Sequence, residues 1–169
     1  MARRSHGKSP TLLAVGEGDV EEAFLQHLRG LYCATGPENP GVRVTVRNAH
    51  GGSPDSIVTY AIGQCRDADY DRRLILLDTD IPWSKATSEK ARVKGMALLG
   101  SEPCIEGLLL RILGMPVPAD SDTCKVRLRH KTGSDMMDRS DFALFDKARL
   151  DAARGSIPVL DELLRRYER

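Results

Sequence analysis

The sequence predicts an α/β fold, a mostly parallel sheet flanked by helices, and three observations carry that prediction. Residues 74–77, Leu-Ile-Leu-Leu, are an unbroken apolar run of strand length, the pattern of a strand buried on both faces. A second such run, TLLAV at 11–15, breaks at Gly16 and passes directly into a helical pattern. Strand and helix patterns then alternate along the chain, as they do in right-handed parallel layers. At 169 residues the chain is long enough for one domain with a sizeable core.

The elements follow in order. Residues 1–10, which include the basic MARRSHGK, read as a mobile arm, and a single domain is expected over 11–169. The first strand spans 11–15. DVEEAFLQHLRGLYC (19–33) is an amphipathic helix with Val20, Phe24, Leu28 and Leu31 on one face. Asp19 is its expected N-cap, with Glu22 completing a capping box. VRVTVRNAH (42–50) alternates apolar and polar residues, as a strand exposed on one face does. GGSP (51–54) is a turn, and Pro54 or Asp55 opens a second helix. After the Leu74–Leu77 strand, TSEKARVK (87–94) is a short polar helix. GMALLGSEPC (95–104) carries a fourth strand ending near Gly100. CIEGLLLRILG (104–114) reads as a buried helix with Glu106 near its start. Past Pro116 and Pro118 the pattern weakens. FALFDKARLDAAR (142–154) and IPVLDELLRRYER (157–169) read as terminal helices, an extension over about 141–169 that covers one face of the sheet.

Composition excludes little. A net charge of +1 gives no global argument for nucleic acid or a membrane, although KVRLRHK (125–131) is locally basic. No apolar run approaches the roughly 18 residues of a membrane span, and the N-terminus lacks the apolar core of a signal peptide. No membrane partner and a cytoplasmic location are the expectation. Cys33, Cys65, Cys104 and Cys124 form no Cys-x-x-Cys pair, which argues against a zinc site and for buried thiols.

The chemistry is expected at the carboxyl ends of the strands, where parallel sheets bind ligands. Glu17 follows the first strand, and Asp78 and Asp80 follow the third. Three carboxylates converging there need a counter-charge. A hard divalent cation, Mg²⁺ or Mn²⁺, supplies it through oxygen ligands. The ordinary alternative is that such residues are turn formers and helix caps.

AVGEGDVEEAF, with Glu17-Gly18, and LILLDTD, with Asp78 and Asp80, resemble the Glu and Asp-x-Asp motifs of the Toprim domain. That is the metal-binding catalytic domain of topoisomerases, DnaG-type primases and OLD-family nucleases. GSEPCIEGLLLRIL (100–113) is similar to a Ser-Asn-Pro-Cys-Phe-Glu segment of the RloB-like branch; Glu102 stands in the Asn position, and Glu106 keeps its own. ARLDAARGSIPVLDELL is similar to that branch's ending. The resemblance implies a Toprim-like (Rossmann-like) sheet and Mg²⁺-dependent phosphodiester hydrolysis on DNA or RNA, as a nuclease of a bacterial or phage-defence system. It implies that Asp78 and Asp80 ligate metal, and that Glu17 is a ligand or general base. Glu106 would serve a second metal position, with Glu21, Glu22 and Glu102 in reserve. Lys131 would be the catalytic lysine.

Arg127, Arg129 and His130 are candidate phosphate contacts, and Trp83 either stacks on a base or packs over the site. The Gly51–Ser53 turn could cradle a phosphate, and His50 is a weaker candidate. Two alternatives stand beside the nuclease. One is a non-catalytic Toprim-like module that binds nucleic acid or a nucleotide and serves a separate ATPase, since the chain has no P-loop of its own. The other is a receiver-like phospho-acceptor, suggested by the Asp78-to-Pro82 spacing but lacking the second acid after the first strand and the Lys-Pro after a fifth.

Overall fold

In a computed structural model, which describes residues 8–33 and 40–169, four strands form one sheet in the order β2-β1-β3-β4. They are β1 (Thr11–Gly16), β2 (Arg43–Asn48), β3 (Arg72–Asp78) and β4 (Ala97–Ser101). Every neighbouring pair is parallel. The sheet expected to be mostly parallel is therefore entirely so among the described residues. The two central strands are the two with continuous apolar runs: Leu12–Val15 and Leu74–Leu77 are each at most 1% exposed. At the edge, β2 alternates instead, with Arg43 and Arg47 in solvent and Val46 buried. Continuous apolarity marks a strand covered on both faces, and alternation marks one with a face in solvent.

Each strand contributes alternate residues to two apolar layers. On one face Leu12, Ala14, Leu74 and Leu76 meet α1 (Asp19–Tyr32), α4 (Ile105–Ile112) and α7 (Pro158–Tyr167). On the other, Leu13, Val15, Ile75 and Leu77 meet α2 (Pro54–Gly63) and α3 (Lys85–Val93). Full burial of one such leucine contributes about 1.5–3 kcal/mol.

The expected cap of α1 shifts by one residue. Gly18 is the N-cap, and its N–H donates to the Glu21 carboxylate at 3.1 Å. Asp19 is the first helical residue, and Glu22 bonds elsewhere. The extended backbone of Gly18 lets the chain leave β1 and turn straight into the helix. The expected arm also ends earlier than residue 10: the Pro10 carbonyl accepts from Arg43 N–H at 2.8 Å. Residues 1–7 of that arm lie outside the described residues.

The region past Pro118, where periodicity weakens, is a full helix, α5 (Ser121–Thr132). It buries only Cys124 and Leu128, so its amphipathic signal is faint. Its ends are well marked. Asp120 accepts from Thr123 N–H at 2.8 Å, and Gly133 closes the helix at φ 76°. Conversely, the helix expected over 142–154 is broken. Asp146 caps a shorter helix, α6 (Lys147–Ala153), by accepting from Arg149 N–H at 2.8 Å. Ahead of it, Phe142 and Phe145 plug the core, with Phe142 stacked on Phe24 at 5.6 Å between centroids. The terminal elements pack on the α1 face as expected, and the buried Tyr167 hydroxyl donates to the Leu25 carbonyl at 3.1 Å. Cys104 and Cys124 are buried thiols, while Cys33 and Cys65 are half-buried. No helix among the described residues is long and apolar enough to cross a membrane.

Candidate metal centre

Pairing of β1 with β3 brings Glu17 and Asp78 together at the carboxyl edge of the sheet. Glu17 N–H continues the ladder to the Leu76 carbonyl at 3.2 Å. Asp78 N–H donates to the Glu17 carboxylate at 3.0 Å. Asp78 itself accepts from the N–H of Ile105, the first residue of α4, at 2.8 Å. The third member is Glu21, in the first turn of α1. A side chain at Gly16 would put its Cβ 2.7 Å from the Glu21 Cβ, so the glycine is what lets the helix sit this close. One carboxylate oxygen from each of Glu17, Glu21 and Asp78 lies within 4.8 Å of the others.

This grouping is electrostatically unfavourable in the bare protein. Burial pushes the Asp78 carboxyl up to about 9, helped by the charges of Glu21 and Glu17. Burial pushes Glu21 up to about 7, with Glu17 and Glu106 adding repulsion. Glu17 is raised by burial and by Asp80, against the hydrogen bond from Asp78 N–H and the positive charge of Lys125. Near them Glu106 is 7% exposed, and its Oε2 is buried with no hydrogen-bond partner. A buried acceptor without a partner costs roughly 1–3 kcal/mol, so this oxygen is short of a cation or a donor. Ser101, aligned with Asp78 in the sheet register, also has a buried hydroxyl without a partner.

The acids open into a cleft of about 340 Å³ facing α5. Lys125 and Arg129, four residues apart and so on one face of α5, line its far wall. Six carboxylates line the cleft against these two cations. The imbalance favours a multivalent cation over a bare anion.

The sequence-predicted residues divide cleanly. Glu17, Asp78, Glu106 and Arg129 line the cleft. Asp80 does not join the triad: it is exposed, accepting from Ile81 N–H at 2.8 Å and from the Ser121 hydroxyl at 2.9 Å. The strand ends at Asp78, so Asp80 follows turn geometry, and Glu21, read as a reserve, takes the third place. Glu22 instead accepts from Asn48 Nδ2 at 3.0 Å, alongside Asp19 at 2.8 Å. Glu102 is exposed.

Lys131 and His130 are exposed on α5 and do not line the cleft. Arg127 donates to the Pro116 carbonyl at 3.1 Å, which ties it to the preceding loop. Trp83 packs in the apolar layer of the opposite face, with its ring against Gly100 and Nε1 donating to the Asp78 carbonyl at 3.2 Å. It braces the strand end and presents no open face to the cleft. His50 is exposed at φ 59°. The Gly51 N–H is occupied, donating to the Glu17 carbonyl at 2.8 Å, so the Gly51–Ser53 turn buttresses Glu17. The residues that sequence reasoning missed are Lys125, Asn48 and Ser101. Lys125 has a sequence signal, its four-residue spacing from Arg129, but only once the segment is known to be helical. Comparison of this chain with protein-family models, characterised proteins and solved structures finds no match in any of the three.

Proposed function

We propose that the chain is a metal-dependent phosphoryl-transfer enzyme acting on nucleic acid, a Toprim-type nuclease. The observation that carries the reading is the convergence of Glu17, Glu21 and Asp78 within 4.8 Å beside the partnerless Glu106 oxygen. Hard oxygen donors, crowded and short of positive charge, fit Mg²⁺ or Mn²⁺. Glu17, Glu21 and Asp78 would hold one ion, and the free Glu106 oxygen fits an adjacent position. When bound, such ions polarise a phosphoryl oxygen and lower the pKa of bound water.

The chain's own residues supply the rest. The Ile105 N–H fixes the Asp78 carboxylate, and the Gly51 N–H fixes the backbone of Glu17. Glu17 retains one oxygen not engaged by Asp78 N–H and is half-buried. If that oxygen does not ligate the ion, it would instead accept a proton from an attacking water. Lys125 and Arg129 would bind the phosphate oxygens and stabilise the charge that develops on them. In this assignment Lys125 takes the role that the resemblance gave to Lys131. A cytoplasmic defence system, with or without a separate ATPase, remains the setting that the sequence resemblance suggests.

One observation favours a second reading, a non-catalytic module that binds nucleic acid or a nucleotide. Asp80, half of the Asp-x-Asp pair, is engaged with Ser121 away from the triad. The receiver-like reading gains nothing, since no fifth strand is present among the described residues. The deciding experiment is Mg²⁺- and Mn²⁺-dependent cleavage of labelled single- and double-stranded DNA and RNA, with Asp78→Ala alongside. Metal-dependent cleavage that the variant loses supports the nuclease. Tight oligonucleotide binding without cleavage supports the binding module.

A further inference from the structure

Arg129 is one of two cations on the cleft wall, and it is already engaged. Its guanidinium forms an ion pair with Asp135, which lines the same cleft. Lys125, the other cation, has no ion-pair partner among the described residues.

The segment that delivers Asp135 is held at both ends. Gly133 ends α5 at φ 76°. Met136, fully buried, sits at φ 59°, a left-handed conformation that an ordinary side chain adopts only when its surroundings impose it. Ser134 Oγ accepts from Met136 N–H at 2.9 Å and fixes that geometry. The Met136 side chain thus anchors the loop in the core and leaves Asp135 facing Arg129. The pair itself is open to water, with the side chains 65% and 49% exposed.

Exposed pairs of this kind exchange at little cost, and a guanidinium fork receives a phosphate through the same donors that it offers a carboxylate. We propose that Asp135 stands in for a substrate phosphate at Arg129. It is a positioning residue that keeps the guanidinium aimed into the cleft and yields it when a phosphodiester enters. The inference rests on the reading of the cleft as a nucleic-acid site and adds to it a built-in competitor. The competitor acts on binding: Asp135 lowers affinity and raises KM, and it leaves the carboxylate chemistry alone. It also discriminates, since only a ligand with a phosphate at the Arg129 position displaces it.

The test measures affinity of labelled DNA and RNA oligonucleotides in Ca²⁺, and steady-state cleavage of the same oligonucleotides in Mg²⁺. The proteins are wild type, Asp135→Asn, Arg129→Ala and the double variant. Asp122→Asn, an exposed acid on α5, controls for the change in net charge, and Asp135→Glu retains the carboxylate. Asp135→Asn is expected to tighten binding about two- to fivefold, the range of an exposed ion pair. KM falls with it and kcat stays constant. The gain disappears in the Arg129→Ala background and is absent in Asp122→Asn and Asp135→Glu. Unchanged or weaker binding in Asp135→Asn overturns the proposal, as does an equal gain when Arg129 is missing. Arg129-dependent tightening without cleavage by any variant upholds the exchange and removes the nuclease reading. Cleavage by wild type with no effect of Asp135→Asn does the reverse.

Discussion

Two clusters of charged groups, one in the C-terminal helices and one at the carboxyl edge of the sheet, shift their carboxyls in opposite directions. At the C-terminus, Arg154 donates to Asp161 at 2.7 Å and to Glu168 at 2.7 Å, with Asp151 near. The carboxyls of Asp161 and Asp151 are held below their ordinary range, Asp161 chiefly by Arg154 and Asp151 chiefly by Lys147. At the sheet edge, Glu17, Glu21 and Asp78 are all raised, by burial first and then by repulsion from neighbouring acids. The first cluster is complete within the chain and ties α7 to the turn before it. The second crowds like charges that the chain's own groups leave largely unpaired. An arrangement that costs stability and gives no packing return is a mark of a site, and this contrast is the physical case for placing the chemistry at Asp78.

The comparison can be broken at its strongest point first. Asp78→Asn is expected to lower metal-dependent cleavage at least about 100-fold, the scale of losing a group that organises transition-state charge. The same variant should melt at a higher temperature than wild type in chelator, because it removes a carboxyl that the fold buries beside other acids and must protonate. A lower melting temperature would mean that the cluster is structural. Glu106→Gln should cost less, about tenfold in activity, and should also leave the chelated protein at least as stable; loss of folding would reassign Glu106 to the core. Arg154→Ala is the mirror experiment. It should destabilise by about 1–2 kcal/mol in urea unfolding, since its pairs are only partly buried, with no change in cleavage rate.

The contrast also appears in the pH dependence of the metal-free protein, where the two clusters have opposite slopes. Asp78 and Glu21 ionise near 3.8 and 4.5 in an unfolded chain but at about 9 and about 7 in the fold. Between those limits the folded state binds more protons, so their contribution is full below about pH 4 and is lost as pH rises. The carboxyls of Asp161 and Asp151 are lowered, so theirs is present above about pH 4 and lost as pH falls through the lowered range. In chelator the melting temperature should therefore fall from pH 5 to pH 9, and Mg²⁺ should restore it at the alkaline end. A flat or rising profile would contradict the assignment of buried, unneutralised acids.

Much of the fold was legible because burial leaves a period in the sequence. Leu74–Leu77 and Leu12–Val15 read as central strands and are, since a strand covered on both faces has no polar positions to spare. The half-exposed strand β2 was legible from its alternation for the converse reason, while its place at the edge came from the pairing. Legibility failed where burial is slight or interrupted. α5 hides only two residues, Cys124 and Leu128, so its period drowned in charge and only its caps remained as signal. The helix expected over 142–154 has apolar residues in plenty, but Phe142 and Phe145 fill a core gap ahead of the Asp146 cap.

The site divides in the same way. By itself, the sequence determined that carboxylates follow the two central strands, because strand order and polarity put Glu17 and Asp78 at one edge whatever the side chains do. Tertiary structure alone decided which acids meet. Glu21 enters because Gly16 lets α1 approach, Asp80 stays out of the triad because the strand ends before it, and Lys125 rather than Lys131 lines the cleft because it shares a helix face with Arg129. Sequence patterns report burial summed over an element, whereas a site depends on the direction of single side chains, and direction is set by packing between elements far apart in the chain.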